Sequence, residues 1–143
     1  MIIHPATEMR IKYYLFVILA TLAVVDALGQ IAEETANSTS LLMIFAPDIK
    51  EENYGNQLLI LSKEPIELDR RNILILEIFP EGGLEPDGSS MDEEKARKLR
   101  IDYKIGDHEF RIILLDKSGS VILNSPKTVE NQEIFKLLDK SSP

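Results

Sequence analysis

The chain is 143 residues long, 44% hydrophobic and 28% charged, with a net charge of −8 and no cysteine. That length supplies one core able to bury roughly two-thirds of the unfolded surface. Without cysteine there is no disulfide scaffold, CxxC redox pair, thiolate zinc site or thiol nucleophile. A pI of about 4.8 argues against a nucleic-acid partner, whose phosphates need clustered Lys and Arg.

The amino terminus reads as an export signal. Arg10 and Lys12 form a basic start, Tyr13–Val25 is an unbroken apolar-to-small run, and Ala27 and Gly29 stand at signal-peptidase spacing. Residues 1–29 are therefore expected to be a signal peptide, with Met9 a candidate start and cleavage after Gly29. The competing reading is a retained anchor, but thirteen residues of helix rise about 20 Å against a hydrocarbon core of roughly 30 Å. The expected location is secreted or periplasmic, with membrane contact only if the segment is uncleaved. Removing residues 1–29 takes Glu8 and Asp26 with Arg10 and Lys12, so the charge stays at −8.

Residues 30–40 are small and polar and read as a flexible leader, in which Asn37-Ser38-Thr39 fits a glycosylation acceptor. Leu41–Phe45 is a continuous apolar run, the pattern of a strand covered on both faces. Asp48 with Glu51 three positions on predicts a capped helix, along which Tyr54, Leu58 and Leu61 recur at helical spacing. Pro65 lies beyond its end. Ile73–Ile78 is the second buried strand, entered through Asp69–Asn72.

Pro80, Gly82, Gly83, Pro86 and Gly88 predict a long loop. Ser90 with Glu93 predicts the next helix start, and Ala96, Leu99 and Tyr103 trace its inner face. Acids occupy its first turn, and Lys95, Arg97, Lys98, Arg100 and Lys104 crowd its second half, as the helix dipole favours. Phe110–Leu115 is a third strand. Asp116–Gly119 turns the chain into Ser120–Leu123, making a hairpin. After Pro126, Thr128 opens a last helix with Ile134, Phe135 and Leu138 inward.

The resulting order, β-α-β-α-β-β-α, predicts an α/β fold over residues 41–140. It is a four-stranded mixed sheet with helices on both faces, in the thioredoxin-like arrangement. The helical crossover makes the first two strands parallel.

Several segments carry a family resemblance. They are Leu42-Met43-Ile44-Phe45-Ala46-Pro47, the spaced Tyr54 and Gln57, Asp69-Arg70, Phe110 to Gly119, and Phe135 to Asp139. Together they resemble the thioredoxin-like domain of unknown function shared by exported bacterial proteins and the sushi-repeat/Equarin (P-DUDES) group. The closing Lys140–Pro143 and Asn72 depart from that family's pattern. The resemblance implies a thioredoxin or peroxiredoxin scaffold stripped of its redox residues. The residues agree: the loop Ala46–Glu51, where redox members carry CxxC, has no sulfur, and Gly106–Glu109 lacks the proline that redox members place before the third strand.

Candidate chemistry is sparse. His108 is the one histidine after residue 29, and its neighbour Asp107 would point to the opposite side of an extended segment, a poor orienter for a triad. Histidine metal clusters fail on number, and Asp87–Glu94 lacks calcium-loop spacing. The Lys95–Lys104 cluster reads as a solvated helix face, and Arg70-Arg71 as a salt-bridging helix end. The expectation is an exported, non-catalytic binding or structural module without cofactor or metal. Its candidate contact surface is Pro47, Asp48 and Ile49 beside Asp107 and His108, for a protein or glycan partner in the envelope or extracellular space. The alternatives are a carboxylate-dependent envelope enzyme using Asp48 or Glu51, and a membrane-tethered envelope module.

Overall fold

The computed structural model describes residues 39–142. The expected signal peptide at residues 1–29, most of the expected leader and Asn37 lie outside the described residues. In chain order the elements are β1 (Ser40–Phe45), α1 (Glu52–Ser62), α2 (Pro65–Arg70), β2 (Ile73–Phe79), β3 (Gly82–Leu84), β4 (Ser90–Met91), α3 (Glu93–Asp102), β5 (Arg111–Leu115), β6 (Val121–Ser125) and α4 (Asn131–Ser141).

The strands form one six-stranded sheet in the order β4-β3-β2-β1-β5-β6. β1 runs parallel to β2 and antiparallel to β5. Alternation sorts its side chains between two cores. Leu42, Ile44 and Ala46 join Leu61, Leu68, Ile134, Phe135 and Leu138, the core beneath α1, α2 and α4. Met43 and Phe45 join Leu76, Ile78, Met91, Ala96 and Ile113 on the α3 side. A central strand covered on both faces explains the unbroken apolar run.

The sheet therefore has six strands rather than four. Of the additional pair, β3 comes from the stretch expected to be a long loop, whose glycines permit pairing instead of breaking it, and β4 from the expected helix start at Ser90. A Cβ on Gly83 would lie 2.0 Å from the Glu77 carbonyl oxygen, and Gly82 sits at φ +145°. Only glycine lets β3 lie this close to β2.

All three expected helix starts move. Ser90 pairs with Leu84 in the sheet, and Asp92 takes over as cap of α3, its Oδ1 accepting from the Lys95 N–H at 2.7 Å. Asp48 accepts from the Lys50 N–H at 2.7 Å in a tight turn, and Glu51 becomes the cap of α1. Pro65, read as lying past a helix, starts α2, where its missing N–H costs nothing. Glu130 rather than Thr128 precedes α4, whose inward Ile134, Phe135 and Leu138 are buried.

Long-range polar ties fix the helices on the α1 side. Gln57 is fully buried, accepts from the Val129 N–H at 2.8 Å and donates to the Val129 carbonyl at 3.0 Å. Arg71 bridges Glu67 and Asp139 and lies 4.3 Å over the Phe135 ring. The Arg70–Arg71 pair is thus a salt-bridging helix end.

Candidate functional site

β1 is the topological switch point, since the chain leaves it to β2 on one side and returns to β5 on the other. In open α/β sheets the crevice beyond the carboxyl end of such a strand is where ligands are received. Here the chain leaving β1, Pro47–Ile49, faces the turn that leaves β2, Phe79–Gly82, across an open groove of about 540 Å³. That is within the range of ligand sites, roughly 300–1,000 Å³.

The groove's walls follow from local sequence. Pro47 stops β1, and the Asp48 turn projects Ile49 outward, 70% exposed. Opposite, Phe79 pairs with Gly82, so Pro80 and Glu81 form the tip of a tight turn. Phe79 packs edge-on against Tyr54, ring centroids 5.2 Å apart. The Tyr54 hydroxyl donates to Glu77, and burial, then Glu77, push its pKa above the ordinary tyrosine value.

Arg100 organises the other flank. Sequence placed it with the solvated basic face of α3; the structure buries it, leaving 3% exposed. One turn beyond Ala96, it shares that residue's inward side. Its guanidinium donates to the carbonyls of Ala46 and Ile78 at 3.4 Å and of Gly106 at 2.6 Å. It therefore ties the ends of β1 and β2 to the segment before β5. Burial pulls its pKa down, against the raising influence of Asp107 and Glu109. The helical period from Ala96 was the signal that could have found it.

The five candidate residues divide. Pro47, Asp48 and Ile49 line the groove. Asp107 lies on the Arg100 flank, its carboxylate 3.8 Å from Nε and 76% exposed, too far for a hydrogen bond. His108 is exposed and its side chain has no hydrogen bond or ion pair among the described residues. Asp107 and His108 do not line the groove, though Arg100 joins their segment to Ala46. Glu51 is occupied in capping α1. Among the described residues no three His, Asp or Glu side chains gather as a metal-binding group, and no helix is long and apolar enough to cross a membrane.

A six-stranded mixed sheet, parallel at its centre and with helices on both faces, is a thioredoxin-like α/β fold. The reduced 2-Cys peroxiredoxin of Plasmodium vivax resembles it with a TM-score of 0.54 at 16% identity, over 73% of this chain and 77% of that one. A second solved structure, of a malarial protein, matches with a TM-score of 0.49 at 17% identity, over 71% of this chain and 96% of that one. No curated protein matches the sequence. The chain belongs to the domain-of-unknown-function family DUF4174, whose model matches residues 32–142.

Proposed function

We propose that this protein is an exported, non-catalytic binding module that uses a thioredoxin-like scaffold to present the groove between Pro47–Ile49 and Phe79–Gly82. The observation that carries the proposal is the position of that groove: it lies at the carboxyl ends of β1 and β2, at the switch point. The chemistry around it supports binding over turnover. The 143 residues hold no thiol, Glu51 is engaged as a helix cap, and His108 stands apart from the carboxylates of the groove.

The proposed setting is the periplasm or extracellular space, with residues 1–29 removed and a protein or glycan as partner. On this reading the chain is akin to the exported bacterial and sushi-repeat/Equarin domains. Mass spectrometry of the mature protein is expected to find Gln30 first; a chain still carrying Tyr13–Val25 would favour the membrane-tethered form. The function itself is tested by affinity capture from an envelope extract with the full chain and its Ile49→Ser variant. Partners recovered by the wild type and lost with the variant are expected. Recovery of nothing above a bead control, or of the same proteins by both, would overturn the reading.

A further inference from the structure

Resting on that reading, we infer that the groove takes a basic peptide segment, with Lys or Arg side chains flanking an apolar residue. Three observations point to this chemistry. The lining carries two carboxylates on opposite walls, Asp48 and Glu81, and no basic residue. Both have bonding capacity to spare: Asp48 uses Oδ1 for the Lys50 N–H, and Glu81 makes no hydrogen bond or ion pair among the described residues. Between them the surface is apolar, with Phe79 as an aromatic wall and Ile49 exposed at the rim.

Opposed carboxylates about an apolar centre match a ligand with two separated cations and an apolar body between them. A Lys or Arg stem can lie along the prolines and Phe79 while its charged head reaches Asp48 or Glu81. An anionic or phosphorylated ligand would meet two like charges on a chain of net charge −8. The open form of the groove and the 70% exposure of Ile49 suit an extended segment laid across it. Buried in a complex, Ile49 would act as the apolar anchor, with the carboxylates setting register at the rim.

The test uses labelled octapeptides of equal apolar content bearing four lysines, four glutamates or four serines, titrated into the full chain by fluorescence anisotropy. Binding of the lysine peptide is expected, weakening with added salt and exceeding that of the other two. Asp48→Asn and Glu81→Gln are each expected to weaken it about threefold and together about tenfold, the size of rim ion pairs. Asn at position 48 retains an acceptor for the Lys50 N–H, so the turn survives. Ile49→Ser is expected to weaken binding about tenfold, and Glu94→Gln on α3 to leave it unchanged.

Lysine-peptide binding indifferent to the groove variants, or matched by the glutamate peptide, overturns the inference. So does concentration-dependent self-association abolished by Ile49→Ser, which would give the groove to a second copy of the chain. The capture experiment separates the two levels. Partners lost with Ile49→Ser but kept with the double carboxylate variant would sink the basic-peptide inference and leave the binding site standing. Partners kept by every variant would remove the site itself.

Discussion

Replacing Arg100 by Met removes a guanidinium that joins the ends of β1 and β2 to the segment before β5 while keeping an unbranched side chain of similar reach. Two effects oppose each other. A buried charge without a full ion-pair partner carries a desolvation penalty, and its removal is stabilising. Against that, the Gly106 carbonyl loses a short charged donor at 2.6 Å, and the Ala46 and Ile78 carbonyls lose longer ones at 3.4 Å. Ile78 keeps the Ala46 N–H at 3.1 Å and Gly106 keeps the Glu109 N–H at 3.2 Å, so of the three only the Ala46 carbonyl is left short of a donor. At roughly 1–3 kcal/mol for that group, plus roughly 1.5–3 kcal/mol for the short charge-assisted bond to Gly106, less the recovered desolvation, the net loss is about 2 kcal/mol. For a domain of this size that lowers the unfolding midpoint by about 10 °C. Arg100→Lys should be at least as damaging, since one ammonium keeps the burial cost and cannot span the same acceptors. Thermal unfolding followed by circular dichroism, with urea titration for the free energy, measures both. A Met variant as stable as the wild type would show that the cost of burying the charge cancels its bonds, and the reasoning would fail.

Other outcomes follow from the same structure. Gln57→Leu strands the buried N–H and carbonyl of Val129 and is expected to cost about 2–4 kcal/mol by urea unfolding; a loss under about 1 kcal/mol would mean that other donors or water replace the amide. Gly83→Ala forces a methyl group to within 2.0 Å of the Glu77 oxygen, so β3 and β4 should part from β2 at a cost of about 3 kcal/mol. Unchanged amide exchange in residues 82–91 would refute that. Acid should destabilise the fold through Glu67, Asp87, Glu109 and Asp116, held below their ordinary values first by hydrogen bonds from Arg71, Ser89, Arg111 and Ser118 respectively. Because the unfolded chain binds protons first as pH falls, their contribution is complete above the ordinary carboxylate values of 4.5 and 3.8 and is lost as pH drops through the lowered ones. An unfolding midpoint that does not fall between pH 5 and pH 2 (roughly the window those carboxylates span) would contradict it.

Residues whose environment is set by near neighbours were legible in the amino-acid order alone. The apolar runs of β1 and β2 announced strands covered on both faces, and Ile134, Phe135 and Leu138 marked the buried side of α4 at its own period. The Asp116–Gly119 turn announced the β5–β6 hairpin. Pro47, Asp48 and Ile49 were singled out only through the thioredoxin-like resemblance, which implies a contact surface at the loop after the first strand. The missing thiol was a matter of composition alone.

The remainder depended on partners distant in the chain. Gly82 and Gly83 read as breakers because glycine signals permission for unusual backbone; only the nearby Glu77 and Met91 carbonyls turn that permission into strand pairing. Ser90 left its expected capping role because Leu84 was there to pair with it. Arg100 looked like one cation in a basic run until Ala46, Ile78 and Gly106 supplied carbonyls for it. The groove's second wall, Phe79–Gly82, came into being with the β2–β3 turn. Sequence by itself determined the period, the charge and the absence of cysteine, which are properties of single residues and their neighbours. Tertiary structure decided which side chains lose water and which backbone groups find distant partners, because both depend on chain segments that folding alone brings together.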